Sequence, residues 1–125
     1  PFMPPHSQRI LLAEDDAQVR KLAATIFGYF GCDVLEAVDG VEAVEIVRSH
    51  ARLGLAVVDS DMPNMDGLTA VRLIRDLRPT LPIVLCSGAR YTLAEVPGAT
   101  DLLPKPFGID QVRALLVRHG CTPAS

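Results

Sequence analysis

Leu55-Ala56-Val57-Val58-Asp59-Ser60-Asp61-Met62-Pro63-Asn64-Met65-Asp66-Gly67 lies near the middle of the chain and joins an apolar run to an acidic, turn-rich one. Its first four residues are apolar and two are β-branched, the composition of a strand covered on both faces. They run straight into a carboxylate, Asp59, and then into a segment rich in Pro, Asn, Asp and Gly. A strand that delivers an acid at its C-terminal end is the usual layout of an α/β site. Asp is also a common turn residue, so this stretch alone leaves open whether Asp59 reacts or only closes the strand.

Working outward, Arg9 to Ala13 is a second short apolar run, and it ends in Glu14-Asp15-Asp16. Val19, Leu22, Ala23, Ile26, Phe27 and Phe30 then fall at helical spacing, with Asp16 as N-cap and Gly31 as the stop. Asp33 to Ala37 reads as a strand, and Asp39-Gly40 turns the chain into a helix with Ala43, Val44 and Val47 facing inward. Beyond the central stretch, Leu68, Val71, Ile74 and Leu77 mark a helix that ends before Pro79. Pro82 to Cys86 is a strand leading to Ser87-Gly88. Ala89 to Val96 is a weak helix closed by Pro97-Gly98, and Asp101 to Leu103 is a brief strand leading to Pro104-Lys105-Pro106-Phe107. Ile109, Val112, Leu115 and Leu116 give a last helix stopped by Gly120. Five strands alternating with five helices imply an α/β fold with a parallel sheet covered on both faces. The most apolar strands, the first, third and fourth, belong at its centre.

The bulk properties narrow the function. At 125 residues, nearly half of them hydrophobic, the chain builds one core without disulfides or a structural metal. A net charge of −3 argues against nucleic-acid binding, and the Arg72, Arg75, Arg78 stripe reads as a solvated helix face. No apolar run is long enough for a membrane span, and the Pro-rich start lacks the regions of a signal peptide. Cys32, Cys86 and Cys121 suit neither a disulfide framework nor a zinc site, so a reducing, cytoplasmic location is expected. The chain opens on Pro1 rather than Met, which fits a fragment of something longer. Residues 1–8 then read as a linker, 9–119 as the domain and 120–125 as a tail.

Functional groups of such a sheet gather at the C-terminal ends of its central strands. Those ends carry Glu14 and Asp15, Asp59, Ser87, and Lys105. Clustered carboxylates repel, and a hard divalent cation with oxygen ligands relieves them. Lys105 and Ser87 can hold a further anion, and a phosphoryl group suits a site combining metal, ammonium and hydroxyl. His6, His50 and His119 lie away from these ends. Met62 and Met65 read as loop packing, and Asp66-Gly67 as a turn and helix start.

Glu14-Asp15, Asp59-x-x-Met62-Pro63-x-Met65-Asp66-Gly67, Ser87 and Lys105-Pro106-Phe107, in this order, resemble a response-regulator receiver domain from about Arg9 to His119. The resemblance implies a flavodoxin-like three-layer fold with sheet order 2-1-3-4-5. It implies a phosphorelay in which a histidine kinase or a histidine phosphotransfer protein donates a phosphoryl group from phosphohistidine to Asp59. Asp15, Asp59 and the backbone carbonyl of Asp61 would hold Mg²⁺ (or Mn²⁺), and Glu14 would act through a metal-bound water. Lys105, preceding a cis bond to Pro106, would pair with Asp59 and then with the phosphoryl oxygens, and Ser87 would hydrogen-bond the phosphoryl group. Such a domain catalyses its own phosphorylation and dephosphorylation and is no stand-alone enzyme. Histidine kinase activity would belong to a larger hybrid kinase, the context that Leu103-Pro104-Lys105-Pro106-Phe107 suggests. The output partner is not specified.

Two departures from the family stand out. The family places Tyr or Phe three residues before the lysine, and this chain has Leu102 there. Ser87 and Lys105 are also about one helical turn closer in sequence than the family leads one to expect, so the fourth helix should be short or irregular. Both changes fall on the surface through which many receivers pass on their signal. The rival readings are a haloacid-dehalogenase-like phosphatase using Asp59 and Asp61, and a non-phosphorylated pseudo-receiver acting as an interaction module. The early Glu14-Asp15 pair and Met62-Pro63 speak against the first, and the intact strand-end set against the second.

Overall fold

Strand β1 (Arg9–Ala13) lies between β2 (Asp33–Ala37) and β3 (Leu55–Asp59), and β4 (Ile83–Ser87) and β5 (Asp101–Pro104) complete a five-stranded sheet in the order β2-β1-β3-β4-β5. All four strand pairs are parallel. The computed structural model describes residues 8–49 and 52–121. Every residue of β3 and β4 is buried, as expected of strands made of continuous apolar runs, whereas β2 at the sheet edge exposes Asp33 and Glu36.

Helices α1 (Ala17–Tyr29), α2 (Gly40–Ser49), α3 (Gly67–Leu77) and α4 (Ile109–Arg118) cover the two faces. Ala23 and Phe27 of α1 and Val112, Leu115 and Leu116 of α4 pack on Ile10, Leu12, Leu55, Val57, Val84 and Cys86. Ala43, Val44 and Val47 of α2 and Ala70, Val71 and Ile74 of α3 pack on the opposite face, against Leu11, Ala56, Val58, Ile83 and Leu85. The alternation of side chains along each strand thus divides the core into two layers.

The caps follow the sequence closely. The Asp16 carboxylate accepts the Gln18 and Val19 N–H groups at 2.9 and 3.1 Å, and that of Asp66 accepts the Thr69 N–H at 2.8 Å. Gly31 and Gly120 take positive φ just beyond α1 and α4. Val19 and Leu22, however, are not core residues: Leu22 is 63% exposed, and both line a shallow apolar depression with Phe107. Leu77 and Ile109 also sit at the rim. A helical period marks a stripe but does not say how much of it the sheet covers.

The expected fourth helix is reduced to a single 3₁₀ turn, Leu93–Glu95, so the last helix is α4. The Glu95 carboxylate accepts the Thr92 N–H at 2.8 Å and the Thr92 hydroxyl at 3.1 Å, and Val96 plugs the segment into the core. Pro97 denies any continuation, and Gly98 takes φ +97° while packing against Arg75 and Val71. Just before this turn, between the segment after β4 and the end of β5, lies a cavity of about 550 Å³ bordered by Leu85, Tyr91, Leu102 and Lys105.

Two arginines of the presumed solvated stripe are structural ties. The Arg75 guanidinium donates to the carbonyls of Gly98, Arg78 and Pro79 and to the Thr100 hydroxyl, fastening the segment before β5 to the end of α3. Arg78 reaches the Val47 carbonyl of α2 at 2.9 Å. Cys121, placed in a tail by the sequence, is buried with the α1–α4 layer. His6 and His50 lie outside the described residues, as do residues 1–7 of the expected linker and residues 122–125 of the expected tail. No helix among the described residues is long and apolar enough to cross a membrane.

Candidate functional site

The ladders run one residue past the strands and carry the acids with them. Glu14 N–H donates to Ala37 O at 3.0 Å, Ser60 N–H to Cys86 O at 2.9 Å, and Lys105 N–H to Ser87 O at 2.9 Å. Asp59 stands opposite Cys86 in register, and Ser87 opposite Pro104. Since Ala13, Val58 and Leu85 face α2 and α3, Glu14 and Asp59 turn toward α1 and α4. Ser60 and Ser87 turn the other way.

Lys105 joins two of these strand ends. Its Nζ is 2.9 Å from Asp59 Oδ1 and 2.6 Å from Glu14 Oε1, and the Lys105–Pro106 peptide is cis. Both carboxylates are almost fully buried, Glu14 at 4% and Asp59 at 5% exposure, while the lysine keeps part of its side chain in solvent. The Asp16 N–H also donates to Glu14 Oε2, at 3.2 Å. Burial pushes the Glu14 carboxyl above the ordinary range, against the lowering effect of the Lys105 hydrogen bond. For Lys105, burial works against the ammonium, but the hydrogen bonds to Asp59 and Glu14 outweigh it and hold its pKa above the usual lysine value. The ammonium is therefore firmly charged.

Oxygen atoms of Glu14, Asp15 and Asp59 all lie within 4.8 Å of one another, with Asp15 exposed at the mouth. One ammonium does not neutralise three carboxylates. Hard oxygen donors at this spacing, open to solvent on one side, suit a small divalent cation that keeps several waters. The donor chemistry thus fits a metal.

On the other side of the strand ends, the Ser60 hydroxyl donates to Ser87 Oγ at 2.7 Å, and the Ala89 N–H donates to the same oxygen at 3.0 Å. Asp61 is exposed, and its carboxylate lies outside the acidic cluster, at 3.4 Å from Ser60 Oγ. The neighbouring Cys86 thiol is pushed up to about 12 by burial and stays neutral. Sequence reasoning brought Glu14, Asp15, Asp59, Ser87 and Lys105 to one edge; the structure gathers the three acids and Lys105 there, while Ser87 shares the edge but turns to the opposite face. It missed Ser60, whose signal was its place one residue beyond Asp59, in register with Ser87. It also did not foresee the direct contact between Glu14 and Lys105.

The sequence profile of the response regulator receiver domain matches residues 10–117. The chain belongs to this family. Among curated relatives of this receiver, response regulator MprA of Mycobacterium ulcerans is 39% identical over 121 residues, covering 90% of this chain and 51% of MprA. Transcription factor SKN7 of Chaetomium thermophilum is 38% identical over 116 residues, covering 89% of this chain and 15% of the relative. The receiver therefore spans about half or much less of the relatives it matches. Of solved structures, the receiver domain of the hybrid histidine kinase CckA superposes with a TM-score of 0.76 at 33% identity, covering 89% of this chain and 97% of that one. The receiver of a sensor histidine kinase from Pseudomonas aeruginosa PAO1, with a magnesium ion coordinated in its active site cleft, gives 0.82 at 25% identity, covering 90% and 97%. The chain has a receiver fold and not that of a kinase domain.

Proposed function

We propose that this receiver accepts a phosphoryl group on Asp59 from the phosphohistidine of a histidine kinase or histidine phosphotransfer protein, and alters its contacts with an output partner as a result. The reading rests above all on one observation: the buried Asp59 carboxylate is paired with the Lys105 ammonium at the edge of a three-carboxylate cluster. In the transfer, an Asp59 carboxylate oxygen bonds to phosphorus as the phosphorus–nitrogen bond breaks, and the leaving imidazole nitrogen keeps the electron pair. Lys105 lies where it can shift from Asp59 to the incoming phosphoryl oxygens, offsetting the charge that builds there. Ser87 supplies a hydroxyl to the phosphoryl group from β4.

Asp15 and Asp59, with the carbonyl of Asp61, would hold Mg²⁺ (or Mn²⁺), and Glu14 would hold a metal-bound water while keeping its bond to Lys105. A cation bound there would supply positive charge to offset that of the carboxylate and phosphoryl oxygens. Three free cysteines and the likeness to hybrid-kinase receivers support a cytoplasmic domain, with residues 9–119 as the working unit. Mass measurement after incubation with Mg²⁺ and acetyl phosphate tests the reading. A single phosphoryl adduct is expected, lost without Mg²⁺ and in Asp59→Asn. An unchanged mass under conditions that label a control receiver overturns it, and sustained turnover of a generic phosphate ester favours a phosphatase instead.

A further inference from the structure

The mechanism above uses Ser87 but leaves its partner unexplained. Ser60 is 3% exposed and tethered on every side. Its N–H donates to Cys86 O, its carbonyl accepts from Gly67 N–H at 3.0 Å, and its hydroxyl reaches Ser87 Oγ at 2.7 Å. The Ser60 backbone is therefore fixed to β4 and to the start of α3 and does not shift with Ser87 if that side chain moves. Ser60 and Ser87 sit together on the α2–α3 side, whereas Asp59 faces α1 and α4, so a hydroxyl bound to Ser60 is turned from the acid.

We propose that Ser60 is a positioning residue that holds the Ser87 hydroxyl in the resting orientation, so that their bond sets the affinity of the site for a phosphoryl group. The inference rests on the phosphoacceptor reading of Asp59. For Ser87 to serve a phosphoryl group, it must leave Ser60, and the buried Ser60 hydroxyl is then left with Asp61 Oδ2, a long 3.4 Å away. A buried hydroxyl that loses its partner is penalised by its desolvation, beyond the bond itself. Removing the Ser60 hydroxyl removes that penalty, because an alanine has nothing to leave unpaired. The loss of Ser60 should therefore favour the phosphoryl-bound state, the reverse of what losing Ser87 does.

The test is a titration with beryllofluoride, a phosphoryl mimic, in saturating Mg²⁺, followed through the amide signal of Ala89, whose N–H reports on the Ser87 hydroxyl. Ser60→Ala should bind roughly three- to tenfold tighter than wild type, the effect of one buried hydrogen bond. Ser60→Thr, which retains the hydroxyl, should restore wild-type affinity. In a Ser87→Ala background, Ser60→Ala should change nothing, a null result that a general loosening of the fold would not give. Ser60→Cys, close in volume and a poor donor, carries the same expectation if the alanine variant does not fold. Equal or weaker binding by Ser60→Ala, or tightening that persists without Ser87, overturns the latch while leaving Asp59 as phosphoacceptor. A wild type that neither binds beryllofluoride nor labels on Asp59 overturns both.

Discussion

The Lys105 ammonium lies closer to Glu14 than to the acid it would serve, at 2.6 Å from Glu14 Oε1 against 2.9 Å from Asp59 Oδ1. Glu14 and Asp59 thus share the lysine at rest, each through a direct contact. Such an arrangement leaves the ammonium positioned when Asp59 turns to a new bond. It also makes both buried carboxylates dependent on one shared ammonium.

Replacing that cation should expose the dependence. Lys105→Ala strands two buried carboxylates beside Asp15, and removing one partner of a fully buried pair costs about 3–5 kcal/mol. Because the lysine is 26% exposed, a smaller loss of about 2–3 kcal/mol is expected. Added Mg²⁺ should then stabilise the variant more than the wild type, since the divalent ion replaces the missing charge. Urea denaturation with and without Mg²⁺ measures both effects. Equal Mg²⁺ stabilisation of the two proteins would show that the carboxylates do not depend on the lysine in this way.

Gly67 carries a second constraint, one of space. A Cβ there would lie 2.0 Å from the Asp59 carbonyl oxygen and 2.7 Å from Ser60 Cα, both of them backbone atoms. Neither can swing aside as a side chain would, so Gly67→Ala must displace the end of β3 that carries Asp59. Overpacking of this kind costs about 2 kcal/mol or more. A lower denaturation midpoint is expected, together with slower labelling by acetyl phosphate. Wild-type behaviour in both would show that the α3 start and β3 end separate freely.

How much of this was legible in the sequence depended on whether a signal was local. The bounds of β1 and β2 match the sequence reading, and β3 runs one residue further to Asp59; β1 and β3 are apolar runs that end abruptly in acids. The strand-end rule brought five site residues to one edge without any contact information. What stayed hidden depended on partners distant in sequence. Ser60 looks like one more polar residue in a turn until the β3–β4 register sets it beside Ser87. Arg75 looks like a solvated arginine until the segment before β5 folds back to meet it. The stripe of α1 shows its period but not its width, so the spacing that includes Leu22 does not reveal that this residue faces out.

Leu102 occupies the position where the resembled family carries an aromatic, and it borders the cavity beside Leu85 and Tyr91. An opening of about 550 Å³ accommodates a ring without displacing backbone. Leu102→Phe should therefore be tolerated, with stability unchanged or raised by up to about 1 kcal/mol, the usual range for cavity filling. Thermal unfolding of the two proteins decides the matter. A loss greater than about 1 kcal/mol would mean that the space is closed in solution.

Asp101 ties the start of β5 to the end of α4. Its Oδ2 accepts from Arg118 Nε at 2.9 Å and lies 2.8 Å from His119 Nε2, while Oδ1 accepts the Leu102 N–H at 2.8 Å. Burial works to raise its pKa, but the hydrogen bonds from His119, Leu102 and Arg118 outweigh it and hold the carboxyl below the ordinary aspartate value. A depressed folded-state pKa gives stabilisation that is present above the unfolded value, about pH 4, and lost as pH falls through the folded one. Asp101→Asn should therefore cost about 1 kcal/mol at neutral pH. The gap between wild type and variant should narrow below about pH 4, as the wild-type carboxylate takes up its proton. Denaturation midpoints of both proteins across the acid range measure that gap. A gap of constant size down to full protonation would show that the hydrogen bonds hold through shape and not through the carboxylate charge.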